Sequence, residues 1–172
     1  MEDYTYDDYI EWDGRWELIA GSPIPVPPVQ TKKQQELILK AMMELEDKIK
    51  ECDLCLIVGS ADWKIENDTV VRPAICVICD EPNGAYITKP PKLIIEIVDS
   101  QERKDFYENI KFDLYKNSEV RYYIIFYPEE NMAEAFKLVD GEFKKCGRFS
   151  SQEYNFEIDR CGLSIDFGKI FS

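Results

Sequence analysis

No histidine occurs among the 172 residues. That absence removes Ser-His and Cys-His nucleophilic catalysis, histidine-ligated zinc and imidazole proton shuttling together, leaving carboxylates, lysines and thiols to carry any chemistry. A run of about 18 consecutive apolar residues is also missing, so no helical membrane span is expected. The acidic start MEDYTYDDY lacks the basic-then-apolar order of a secretory signal, which makes the cytoplasm the expected location. Positive charge is scarce: 21 Lys and Arg against 34 Asp and Glu leave a formal charge of -13. Such a field repels dense polyanions and confines any nucleic-acid contact to a local patch. Repeats, linkers and low-complexity tracts are absent as well, and the length suits one domain spanning 1-172. Apolar surface is plentiful, at 45% hydrophobic and 13% aromatic, enough to fold without staples or an obligatory metal.

Six cysteines fall as Cys52-x-x-Cys55 and Cys76-x-x-Cys79, with Cys146 and Cys161 alone. The two pairs have a spacing known from four-thiolate zinc sites. Ala74 to Cys79 is apolar and β-branched, however, and in a strand residues three apart point to opposite faces, so Cys76 and Cys79 cannot reach one ion. Cys52 and Cys55 straddle an expected helix end and strand start, where free cysteine serves as a small apolar residue in a reducing compartment. Zinc is therefore the minority expectation.

Tyr6 to Trp12 fits a short helix, Trp16 to Ile19 a strand, and Pro23, Pro25, Pro27 and Pro28 an extended irregular passage. Thr31-x-x-Gln34 is a capping-box pattern, followed by Ile38, Ala41, Met42, Leu45 and Ile49 at helical spacing up to about Glu51. Leu54 to Val58, Trp63 to Glu66, Val70 to Cys79 and Leu93 to Val98 read as central strands. Asp105-x-x-Glu108 then caps a second helix with Phe106, Ile110 and Leu114 as its apolar face. Arg121 to Tyr127, Ala133 to Val139 and Glu142 to Cys146 complete the strands, the last two joined by the hairpin dipeptide Asp140-Gly141. Ile165 to Phe171 is expected to form a final helix. The order implies an α/β (α+β) fold with a mixed central β-sheet flanked by helices.

The runs Trp16-Glu17-Leu18-Ile19-Ala20-Gly21, Val71-Arg72-Pro73, Pro91 to Val98, Lys111-x-x-x-Tyr115 and Tyr122 to Ile125 together resemble the Uma-two family of restriction-type endonucleases. That family belongs to the PD-(D/E)xK, restriction-endonuclease-like superfamily. The resemblance implies a Mg²⁺- (or Mn²⁺-) dependent DNA endonuclease, hard carboxylate oxygens holding an ion that lowers the pKa of a bound water. Glu96 would be a metal carboxylate, Ile97 would lend its backbone carbonyl, Lys111 would supply the migrated lysine, and Glu17 a further acidic contact. Glu96 would face Lys111 across a hollow wide enough for a hydrated ion. A homodimer is implied too, with Phe136 and Phe143 as exposed strand aromatics.

One departure matters. The family reads Pro-Asp where this chain has Pro73-Ala74, so a methyl group stands at the position of the missing Asp ligand. Asp80 lies too far along the strand to replace it, while Asp62 or Glu66 on a neighbouring strand could compensate. Three readings follow: an endonuclease with a degenerate metal site, a non-catalytic nucleic-acid or protein binding module on the same fold, or an engineered inactivation. Each residue also has an ordinary alternative. An acid inside Leu93 to Val98 is costly unless paired or metal-bound. Lys111 alone would be a solvated lysine, Glu17 a surface partner of Arg15, and Tyr115 a core-edge ring with its hydroxyl at water. Lys32, Lys33, Lys89, Lys92, Arg103, Lys104 and Lys116 form either a DNA-facing rim or ordinary solvated charge.

Overall fold

Alternate side chains of the central strands enter two different apolar layers, so the sheet is buried on both faces. In a computed structural model that describes residues 3–27, 31–159 and 161–172, β3 (Cys55–Gly59), β6 (Ile75–Cys79), β7 (Leu93–Ile97), β8 (Tyr122–Tyr127), β9 (Met132–Val139) and β10 (Glu142–Phe149) form one six-stranded sheet. Its order is β10-β9-β8-β7-β6-β3. Only the β7–β8 pair is parallel, with Glu96 opposite Ile125, so the sheet is mixed as expected. A smaller sheet has the order β2-β1-β5-β4, from β1 (Trp16–Ile19), β2 (Ser22–Pro25), β4 (Trp63–Glu66) and β5 (Thr69–Val71).

Each face of the large sheet carries its own apolar layer. Ile75, Val77, Leu93, Ile95 and Ile97 meet Leu37, Ala41, Leu45 and Ile49 of α2 (Lys32–Ile49). The Thr31 side chain accepts from the Gln34 amide, closing the expected capping box. On the opposite face Cys76, Ile78, Ile94 and Val98 lie against Tyr107 and Tyr115 from the segment that ends in α3 (Lys111–Asn117). Short helices α1 (Tyr6–Tyr9) and α4 (Gly168–Phe171) close the two ends of the chain. Among the described residues, no helix is long and apolar enough to cross a membrane.

Several expectations need correction. Val70 to Cys79 is not one strand: Pro73 has no N–H to give a ladder, and the chain passes there from the small sheet to the large one. Trp63 to Glu66 belongs to the small sheet. Ser22–Pro25 is not irregular but pairs with β1 through a turn whose Ala20 and Gly21 have φ of 50° and 79°; Pro28 lies outside the described residues. The C-terminal segment contains a hairpin, β11 (Glu153–Ile158) and β12 (Cys161–Asp166), ahead of a helix shorter than expected. Phe136 and Phe143 are not exposed, because both rings pack edge-on against Phe112.

The cysteines differ most. Cys76 and Cys79 do point to opposite faces, but Cys52 pairs with Cys161 and Cys55 with Cys79, leaving Cys76 and Cys146 as free thiols. The partner of Cys55 comes from sheet register, since Cys79 stands directly opposite it in the β3–β6 ladder.

Candidate functional site

Glu96 shares its face of β7 with Ile94 and Val98, the face that Tyr107, Lys111 and Tyr115 cover. A π-helical turn, Phe106–Ile110, precedes α3 and carries an extra residue per turn. Ile110 is left exposed while Lys111 is carried inward, so the expected Phe106, Ile110 and Leu114 face gives way to Tyr107, Lys111 and Tyr115. Asp105 makes no capping bond and instead accepts from the side-chain amide of Asn109.

Glu17, Glu96 and Lys111 come together although they are far apart in sequence. Lys111 Nζ donates to Glu17 Oε2 and to Glu96 Oε2, each at 2.7 Å, and to the Tyr115 hydroxyl at 3.0 Å. The Tyr115 hydroxyl donates in turn to Glu96 Oε2 at 2.8 Å. All three charged groups are buried, at 3%, 4% and 1% exposure in the order named. The passage around Pro73 contributes its two flanking amides: Arg72 N donates to Glu17 Oε2 at 2.7 Å, and Ala74 N to Glu96 Oε1 at 3.0 Å. Freed from any sheet ladder by the proline, these N–H groups satisfy carboxylate oxygens that would otherwise be stranded.

Two carboxylates around one ammonium leave a surplus negative charge. Burial lifts the Glu17 pKa above the usual carboxylate value and the charge of Glu96 lifts it further, against the pull of Lys111. Burial alone would lower Lys111, but Glu17 and Glu96 outweigh it and hold its pKa above the ordinary lysine value, so the ammonium persists. Burial, then Glu96, push the Tyr115 phenol well above its usual range and keep it a neutral donor.

The structure thus gathers Glu17, Glu96, Lys111 and Ala74, and Ile97 lines the same small cavity with its side chain in the opposite apolar layer. Glu17 is not paired with Arg15, and the Tyr115 hydroxyl is buried rather than at water. Asp62 does not stand in for position 74: it accepts from Arg72 Nε at 2.6 Å and from the Tyr9 hydroxyl at 3.0 Å. Glu66 is exposed in the small sheet. The lysines and arginines that could have formed a basic rim are scattered, since Lys89 and Lys92 line a different hollow with Arg121 and Lys116 pairs with Asp113 and Glu142. Sequence reasoning missed Arg15, Arg72 and Asp99, which line the cavity with Arg103. Asp99 Oδ2 accepts from the Tyr107 hydroxyl and Arg103, while its Oδ1 is buried with no hydrogen-bond partner. Only its position three residues after Glu96 could have signalled it.

A divalent ion does not fit these residues as they stand. Mg²⁺ requires about six oxygen ligands in near-octahedral order. Both oxygens of Glu96 and Glu17 Oε2 are already held by Lys111, Tyr115 and backbone amides, and Ala74 offers only a methyl group. The hollow expected between Glu96 and Lys111 is replaced by direct contact beside a cavity of about 40 Å³, room for about three waters by the usual allowance of about 10–15 Å³ each.

The comparisons agree with the fold. A crystal structure from Anabaena variabilis, described as a "putative nuclease belonging to DUF820", superposes with a TM-score of 0.74 over 98% of this chain and 97% of that one, at 14% identity. No curated protein matches the chain. The family model described as "Putative restriction endonuclease" matches residues 3–156. With that span covered and a restriction-endonuclease-like fold beneath it, the chain belongs to the Uma2 family.

Proposed function

We propose that this chain is an endonuclease-family protein whose Mg²⁺ site is disabled, its Lys111 ammonium standing where a cation would bridge Glu17 and Glu96. The carrying observation is the pair of 2.7 Å contacts from Lys111 Nζ to the two carboxylates. In a working version, Glu96 and the Ile97 carbonyl would hold the ion with an aspartate at position 74. Lys111 would stabilise charge at the attacking water or the phosphoryl oxygens, and Glu17 would add an acidic contact. Without the third carboxylate the ammonium remains the better counter-ion. DNA is the proposed partner, the cytoplasm the proposed location and a homodimer the proposed assembly, the last read by light scattering.

The deciding comparison is wild type against Ala74→Asp on plasmid and single-stranded DNA in Mg²⁺ and Mn²⁺. Cleavage by the variant is expected to exceed wild type by roughly 100-fold or more, the scale attached to a misplaced reacting group. Mn²⁺ should also raise the unfolding temperature of the variant and leave wild type unmoved. Metal-dependent cutting by wild type at the variant's rate would overturn the proposal.

A specific observation favours a second reading, a DNA-binding module without catalysis. Arg15, Arg72 and Arg103 line the cavity of a protein with net charge -13, a local concentration of the residue type that grips phosphate, although a phosphate would have to share Arg72 with Asp62 and Arg103 with Asp99. DNA binding by both proteins with cleavage by neither would select it.

A further inference from the structure

Away from that cavity, four cysteines converge where α2 ends and β3 begins. Cys52 and Cys55 bracket a turn closed by the Cys55 amide on the Cys52 carbonyl at 3.4 Å. Cys79 is the cross-strand partner of Cys55 with 4.1 Å between Cα atoms, and Cys161 at the start of β12 lies 5.6 Å from Cys52 by the same measure. Cys52, Cys55 and Cys161 line one surface hollow together with Asp80 and Asp159. Three segments distant in sequence, the Cys52–Cys55 turn, the end of β6 and the start of β12, are therefore tied at that turn through two cysteine pairs, which packing alone does not require.

The Cys52–Cys55 turn adds an independent sign. Leu54 has φ of 63° and is 77% exposed, a γ-branched residue in the left-handed region with almost nothing to pack on. That conformation normally falls to glycine. It lets the two cysteines flank a single point, and the Leu54 carbonyl anchors the turn by accepting from Asp80 N at 2.9 Å. Such a tight turn is what a thiolate pair needs to converge on one ion, and Cys76, facing the other layer, takes no part.

We propose that in the reduced protein Cys52, Cys55, Cys79 and Cys161 bind one Zn²⁺ as a structural four-thiolate site. In the disulfide-paired state the sulfurs cannot ligate, and among the described residues no group of three or more His, Cys, Asp or Glu is arranged to hold a metal. Reduction takes two electrons and two protons per disulfide from a low-molecular-weight thiol, two reductant thiols becoming one disulfide. Zn²⁺ then replaces the four thiol protons. Four soft ligands without histidine suit zinc in tetrahedral order, and the acidic neighbours raise the local cation concentration. The site would fasten α2, the edge strand β3 and the C-terminal hairpin together, a structural role independent of Lys111 and its cavity.

The test uses the full chain purified with a thiol reductant and without chelator. Elemental analysis should return one zinc per chain, and Co²⁺ exchange should produce intense thiolate-to-cobalt absorption. Cys161→Ser is expected to lose stoichiometric zinc, whereas Cys146→Ser keeps it. Because Cys161 also packs against the main core, the wild-type measurement decides by itself. A folded, fully reduced chain without zinc, two disulfides that persist in reductant, or iron in place of zinc would each overturn the proposal.

Discussion

Replacing Lys111 by Met leaves two buried carboxylates sharing a pocket with no counter-charge, the costly way of breaking a buried ion pair. A loss of about 3–5 kcal/mol at neutral pH is expected, measurable by urea unfolding. The pH dependence has a definite sign. The folded pKa of Lys111 lies above 10.5, so its contribution is whole below that pH and is lost as pH rises through the higher folded value. Glu17 has a folded pKa above 4.5, so its protonation favours the folded state fully below that pH, and the benefit fades as pH rises through its folded value. Wild type should therefore weaken at strongly alkaline pH, whereas Lys111→Met should lose less there, the buried tyrosines still contributing their share, and should regain stability on acidification. Glu96 was legible because an acid in Leu93 to Val98 is conspicuous. The ion pair itself was not, because a lysine on a helix looks the same in sequence whether solvated or buried.

Elements with local signals are legible in the sequence, and those settled by tertiary pairing are not. The α2 capping box lies within four residues and needs no partner, so Thr31→Ala should cost about 1 kcal/mol, the usual loss of an N-cap. Asp105 carries the same sequence pattern, yet the π-helical turn bypasses it, and Asp105→Ala should change stability by less than about 0.5 kcal/mol. Urea midpoints of the two variants check both. Pro73 is visible as a residue, but a proline inside an apolar run does not say that the chain is changing sheets. Tyr154, Phe156 and Ile158 with Cys161, Leu163 and Ile165 do alternate as strands should. Between them the sequence lacks the glycine that marks the Ala20-Gly21 and Asp140-Gly141 turns, so no local signal announces the hairpin.

Across the whole molecule, a charge of -13 must coexist with any grip on DNA. If Arg15, Arg72 and Arg103 provide it, log affinity should fall with log salt with a slope of about -3 or shallower, following counterion release by three phosphate contacts. Fluorescence anisotropy across a salt series measures it, and a much steeper slope would mean a second basic surface. The mixed sheet and its helical layers were legible from apolar patterning, whereas the disulfide pairing depended on which strand ends meet in space.

Lys111 joins more than two carboxylates. Glu17 rides on the small sheet, Glu96 on the large one and Lys111 on the helix above, so a single amine rivets three layers. On the proposed reading, building a metal site here has to pull that rivet and let the incoming ion take over its mechanical duty, which couples turnover to a scaffold that holds firm only when loaded.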